Sequence, residues 1–125
     1  MQQVITTLTS SQNWLVLTGA GVSAGSGVPT YRDKQGVWQR LPPVTHQEFM
    51  AESSARQRFW ARNMVGWRFM VEAQPNAAHL ALAALEQTSA LSHLVTQNVD
   101  GLHQRAGSGK VIDLHGRVDT VSCMS

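Results

Sequence analysis

Residues 19–33 read GAGVSAGSGVPTYRD, and two chemistries overlap at the start of this stretch. Gly19, Ala20, Gly21, Val22, Ser23 and Ala24 fit the fingerprint G-x-G-x-x-G/A, in which glycines let the backbone approach a dinucleotide pyrophosphate. Gly21, Val22, Ser23, Ala24 and Gly25 fit G-x-S-x-G, the sharp turn that presents a nucleophilic serine. Two further polar clusters could do chemistry: TQNVD at 96–100 and HGR at 115–117. An imidazole such as His115 has an ordinary pKa of about 6.5, which suits a proton acceptor near neutrality. Amide groups such as those of Gln97 and Asn98 can position a centre on which charge develops. Each cluster also has an ordinary reading: glycines make turns, Asn98 and Asp100 could cap a helix starting near Gly101, and His115 could be structural. His46, His79, His93 and His103 show no metal-ligand spacing.

These clusters need elements to hold them. WLVLT at 14–18 is a short apolar run stopped by glycine, and it predicts a buried strand. LSHLVTQ at 91–97 predicts a second strand, and 111–114 a third. Val4, Ile5 and Leu8 suggest a short helix over 2–12, while glycine and proline make 19–43 a long loop with at most one helical turn. Residues 46–73 read as one helix, in which Trp60, Met64, Trp67 and Val71 form an apolar stripe expected to pack in the core. Residues 74–87 give another helix, entered through Pro75 and Asn76. It is apolar nearly all round from Leu80 to Leu85 and is expected to be buried. The pattern is α/β, with a parallel sheet whose three predicted strands all end at a polar cluster. Open α/β sheets bind ligands along that carboxyl edge.

Composition sets the outer limits. The chain has 125 residues, 42% of them hydrophobic and 14% charged, which suits one globular domain. A net charge of +2 leaves little basis for nucleic-acid binding, although Arg56, Arg58, Arg62 and Arg68 interleave with Phe59, Trp60 and Trp67. One cysteine, Cys123, allows no disulfide within the chain and fits a reducing compartment. The first residues carry neither a charged n-region nor a long apolar run, so no signal peptide or membrane span is expected.

The two readings of the glycine loop both misfit. Ser23 falls beyond the strand–helix turn, which Gly19 and Gly21 fill, and no HGGG-like oxyanion segment exists. A serine hydrolase using Ser23, with Asp100 or Asp113 and His115, is therefore a remote alternative. An ordinary dinucleotide unit would place an acid at the end of a second strand about 20 residues on. That region reads WQRLPPVTHQEF and contains no strand.

GAGVSAGSGVPTYR, PNAAH, TQNVDGLH and LHG, in that order, resemble the sirtuins, the NAD-consuming protein-lysine deacylases. RQRFWARNMVGW further resembles their class II branch, which includes the mitochondrial lipoamidase and ADP-ribosyltransferase type and its bacterial relatives. The resemblance implies a Rossmann-like NAD-binding part over 1–45 and 91–125, with a helical insertion over 46–90. It implies NAD as a consumed co-substrate and an acyl-lysine protein or peptide as partner. The acyl oxygen attacks the nicotinamide ribose, nicotinamide leaves, and the acyl group passes to ADP-ribose. By the same resemblance, His115 takes a proton from a ribose hydroxyl, and Asn98 with Gln97 positions the ribose being cut. Gly19, Ala20 and Gly21 meet the diphosphate, with Ser23, Ser26 and Gly27 near the phosphates or ribose. Tyr31 and Arg32 face the reactive ribose, and Asp100 holds the nicotinamide carboxamide. Phe59 and Arg62 show the aromatic-x-x-Arg spacing that the class III branch uses for acidic acyl groups, against the ordinary reading of Arg62 as a solvated helix arginine.

The resemblance also implies a zinc module and later strands that 125 residues do not reach. Cys123 matches the first of four zinc ligands, and it serves as one only if the chain continues into a second cysteine. Zinc is therefore not expected for this chain. The expectation is the N-terminal part of a sirtuin catalytic domain, truncated and weak or inactive alone, with an uncovered sheet inviting self-association. The alternative is a non-catalytic nucleotide-binding remnant or interaction module. No nucleic-acid or membrane partner is expected. Localisation is expected to be cytoplasmic for a bacterial protein, or the mitochondrial matrix for a eukaryotic one.

Overall fold

The apolar run Trp14–Thr18 forms β1, which pairs in parallel with β2 (Leu91–Thr96). β2 pairs in parallel with β3 (Val111–Asp113), giving the sheet order β1-β2-β3. This computed structural model describes residues 6, 7, 10, 11, 13–30, 35, 37, 42–88 and 90–123. Most of the helix expected over 2–12 lies outside them, as do Tyr31 and Arg32. In register, Thr18 sits opposite Thr96, and Thr96 opposite Asp113. The strands therefore end in line, and the polar segments that follow them share one carboxyl edge. β2 and β3 each stop one residue short of the run that the sequence suggests.

Between β1 and β2 the chain forms α1 (Ala20–Ser23), a 3-10 turn (Ala24–Ser26), α2 (His46–Ala51), α3 (Ser53–Glu72) and α4 (Ala77–Gln87). α5 (Leu102–Arg105) lies between β2 and β3. Asn76 caps α4: its Oδ1 accepts the N–H groups of Ala78 and His79, while His79 Nδ1 accepts the N–H of Asn76. This reciprocal arrangement satisfies donors that the first helical turn leaves without partners. At the other end of α4, the Glu86 carboxylate accepts the N–H groups of Gly109 and Lys110, tying the helix to the entry of β3.

Three expectations about the helices are corrected. The single helix expected over 46–73 is two, because Glu52 adopts an extended conformation between α2 and α3. Arg56 holds the break by donating from Nη1 to the carbonyls of Phe49 and Met50, which α2 leaves open at its end. The stripe of Trp60, Met64, Trp67 and Val71 is not core: Met64 is 76% exposed and Trp60 45%. Only Ala55 of α3 is buried, since its main neighbour among the described elements is the short α2. Periodicity identifies an apolar face, but it does not provide a surface to cover it. α4 likewise buries one side, with His79 and Ala83 inside and Leu80 exposed.

The buried core is small. Leu91 and Leu94 are fully enclosed, while Val28, Ala73 and Leu102 cluster with Met70 beneath the carboxyl edge. One face of the sheet is open: Leu15 is 68% and Leu17 61% exposed, with Ile112 on the same face. Strands of parallel sheets are normally covered on both faces.

Candidate functional site

The carboxyl edge gathers three segments that are far apart in sequence. From β1 comes the glycine loop, where Gly19 is the N-cap of α1 and has extended backbone angles. The first N–H groups of such a helix have no carbonyl partner within it. At Gly19 and Gly21 an added Cβ would meet no atom within 4 Å, so packing requires neither glycine. Their missing side chains leave the backbone open to approach, and a phosphate cradle needs that access. Gly25 is different: a Cβ there would lie 3.3 Å from Asn76 Nδ2. That amide donates to Val22 O at 2.8 Å and Ser26 Oγ at 3.0 Å, locking the loop onto the start of α4. Gly27 closes the 3-10 turn with a φ of 80°, in the left-handed region.

Beneath the loop, Ser23 is fully buried and bonded inward, although the resemblance put it near the phosphates or ribose. Its Oγ donates to Asp100 Oδ2 at 2.7 Å and accepts from Asn98 Nδ2 at 3.0 Å. His79 Nε2 lies 3.4 Å from the same oxygen. Because His79 Nδ1 accepts the Asn76 N–H, its proton sits on Nε2 and points at Ser23. The Ser23 hydroxyl thus accepts twice and donates once, which fixes its proton toward Asp100. Asp100 Oδ1 in turn accepts the Leu102 N–H, the first of α5, whose N-cap position is Gly101 rather than Asn98 or Asp100.

A second chain of bonds runs beside the first. Thr18 Oγ1 donates to Thr96 Oγ1 at 2.9 Å and accepts from His103 Nε2 at 2.9 Å. Thr96 Oγ1 accepts the Asn98 N–H at 3.1 Å. His103 is buried, and its Nδ1 has no hydrogen-bond partner among the described residues. The His79 and His103 rings are 4.8 Å apart. Burial pushes both imidazoles below their ordinary pKa and so favours the neutral form. Asp100 opposes this for both rings.

The sequence reading missed these two histidines as members of the site. For His79 a signal existed, since an Asn-x-x-His spacing at a helix start allows reciprocal capping. His103 carried no such signal.

Among the other candidates, Asn98 is buried, and Gln97 is exposed with its N–H donating to Thr18 O. His115 is exposed at the edge, anchored one residue earlier by the Leu114 N–H on Thr96 O. Its ring has no hydrogen-bond partner among the described residues. Arg62 Nη1 donates to Pro42 O, so this arginine is tied to the loop before α2. Cys123 is exposed, and the described residues contain no group of three or more His, Cys, Asp or Glu able to hold a metal ion.

Gly101 follows Asp100 with a φ of 67°, and a Cβ there would lie 3.1 Å from Arg117 Nη2. Gly101→Ala should therefore destabilise the chain by about 1–2 kcal/mol, the usual cost of a side chain in the left-handed region. Gly19→Ala should change stability by less than about 0.5 kcal/mol, because nothing surrounds it. Urea unfolding of both variants checks the pair, and equal losses would contradict it.

Comparison with known proteins adds to this geometry. Residues 19–125 match the model of the Sir2 family. An NAD-dependent protein deacetylase of Xanthomonas axonopodis pv. citri is 63% identical over 113 residues, covering 90% of this chain and 39% of the relative. The chain thus spans about two fifths of the length of such curated relatives. Among solved structures, a Sir2 homologue mutant in complex with 2′-O-acetyl ADP ribose is 44% identical, with a TM-score of 0.80. The match covers all of this chain and 50% of that one. A Sir2 complex with a p53 peptide and NAD+ is 38% identical, with a TM-score of 0.77 over 94% of this chain and 46% of that one.

Proposed function

Since the chain belongs to the Sir2 family, we propose that it supplies the phosphate cradle and the nicotinamide side of an NAD-dependent protein-lysine deacylase. The observation that carries this reading is the open backbone at Gly19 and Gly21, in the same loop whose Ser23 bonds Asn98 and Asp100. When bound, NAD supplies a glycosidic bond whose cleavage releases nicotinamide and leaves ADP-ribose to receive the acyl group. The N–H groups at Gly19, Ala20 and Gly21 hold the diphosphate, with Ser26 and Gly27 shaping the far side of the loop. Asn98 and Asp100, oriented by Ser23, hold the nicotinamide end, and Gln97 stands at the rim beside them. His115 accepts a proton from a ribose hydroxyl; its exposed ring leaves the lone pair accessible. Tyr31 and Arg32 screen and contact the ribose.

The substrate is an acyl-lysine protein or peptide. Its class II character, with lipoyl or ADP-ribosyl transfer as variants, rests on the RQRFWARNMVGW segment. A cytoplasmic setting fits a chain with one cysteine.

A second reading is favoured by the uncovered apolar face at Leu15, Leu17 and Ile112. On this reading the 125 residues bind nucleotide without turnover and self-associate through that face. The expected outcome for the isolated chain combines the two readings: measurable binding of NAD and ADP-ribose by calorimetry, with little or no deacylation. Vigorous NAD-dependent deacylation with nicotinamide release would overturn the second reading. Failure to bind either nucleotide would overturn the first.

A further inference from the structure

His115 lies between two backbone anchors. Before it, the Leu114 N–H donates to Thr96 O at 2.9 Å; after it, the Val118 N–H donates to Val99 O at 3.0 Å. The second bond joins the loop after β3 to the turn that carries Asn98 and Asp100. Between the anchors, Gly116 has a φ of 70°, and the His115 ring makes no hydrogen bond among the described residues. Neither residue can hold the loop in place.

Arg117 can. Its Nε and Nη2 both bond the Asp119 carboxylate, Nε to Oδ1 at 2.8 Å and Nη2 to Oδ2 at 2.5 Å. A two-point contact fixes the plane of the guanidinium as well as its position. The guanidinium lies against Gly101, where an added Cβ would meet Nη2 at 3.1 Å and Cζ at 3.5 Å. Arg117 and Asp119 thus bracket Val118, whose N–H reaches Val99 O in the turn, while the guanidinium rests beside Gly101 of the same turn.

We propose that Arg117 is a positioning residue, which with Asp119 latches the loop carrying His115 against the turn carrying Asn98 and Asp100. The latch sets the distance between the group that accepts the ribose proton and the groups that hold the nicotinamide end. This inference rests on the function proposed above. Its ordinary competitor is a surface ion pair, which contributes about 0.2–1 kcal/mol and has no consequence for a ligand.

The test uses the 125-residue chain and its Arg117→Ala and Arg117→Lys variants. Three quantities are read: amide exchange at Val118, the thermal midpoint, and the affinities for NAD and ADP-ribose. Removing a pair worth up to about 1 kcal/mol changes an equilibrium about fivefold. Arg117→Ala should therefore speed Val118 exchange about fivefold and weaken NAD about fivefold, with ADP-ribose changed less than about twofold. The midpoint should fall by no more than about 5 °C. Arg117→Lys keeps the charge but not the two-point contact, and should fall between the two. Unchanged exchange at Val118 would overturn the latch. Faster exchange with an unchanged NAD-to-ADP-ribose ratio would reduce it to packing and overturn the positioning role. If Arg117→Ala fails to fold, the lysine variant decides by the same two criteria. If the unmodified chain binds neither nucleotide, the proposed function falls and the positioning role falls with it.

Discussion

Ser23→Ala should lower the stability of the chain by about 2–4 kcal/mol while weakening NAD at least about tenfold. The loss comes from what the hydroxyl leaves behind. Asp100 Oδ2, Asn98 Nδ2 and His79 Nε2 all converge on Ser23 Oγ, a residue with no exposed surface. Each buried polar group left without a partner costs about 1–3 kcal/mol, and the gap left by one hydroxyl is too small for a replacing water. Asp100 keeps its bond from the Leu102 N–H, so the turn does not collapse. Its Oδ2 and the Asn98 amide nevertheless lose the contact that orients them. The proposed diphosphate contacts are to backbone at Gly19, Ala20 and Gly21, so ADP-ribose should be affected much less than NAD. Urea unfolding and calorimetry with both nucleotides test this. A variant as stable as the parent, or one that loses both ligands equally, would contradict the hub.

The second large effect is acid lability near neutrality. Burial disfavours the charged forms of His79 and His103 in the folded chain and lowers both below their ordinary pKa. For His79, Asp100 pulls the other way and Arg105 adds to the lowering. For His103, the neighbouring His79 adds to it, while Asp100 and Asp113 oppose it. The bonding agrees: the Asn76 N–H already points at His79 Nδ1, and a proton on His103 Nδ1 would be a buried donor without an acceptor.

In the unfolded chain both rings titrate at their ordinary 6.5. The folded values are depressed, so below 6.5 the unfolded state binds protons that the native state refuses. Stability is fully present above that value and falls as pH drops below it, by up to about 1.4 kcal/mol per pH unit for each histidine. The carboxyl of Asp119, held below its ordinary value by Arg117, would contribute only at far lower pH. Urea midpoints at about pH 7.5, 6.5 and 5.5 measure the slope. His103→Gln should shrink it. Midpoints that do not move between the highest and lowest pH would refute the buried pair.

Much of the architecture is legible in the residues. WLVLT, LSHLVTQ and residues 111–114 read as strands, and all three form in the parallel sheet, the last two one residue shorter. Asn76 at a helix start and the glycines after β1 act through local backbone chemistry, which sequence reports directly. Burial was harder to read. Trp60 and Met64 have the spacing of a packed face yet stand exposed, because packing needs a second surface that no periodicity encodes. The break at Glu52 was hidden for a related reason. Arg56 reaches back to the open carbonyls of α2, and only the folded geometry reveals the contact.

The sequence by itself therefore determined the strands, their punctuation and the residue types brought to one edge. Those follow from local propensity, hydrophobic pattern and the motifs at 19–27, 75–79, 96–103 and 114–116. The tertiary structure alone decided which way the polar groups face. Ser23 meets Asn98, Asp100 and His79 across separations of 75, 77 and 56 residues, and Thr18 meets His103 across 85. Such partners are chosen by the parallel register that sets Thr18 beside Thr96 and by the capped helix that turns His79 inward. A serine that reads as a nucleophile or a phosphate ligand is a buried hub in the glycine loop, because the fold completes its hydrogen bonds from inside.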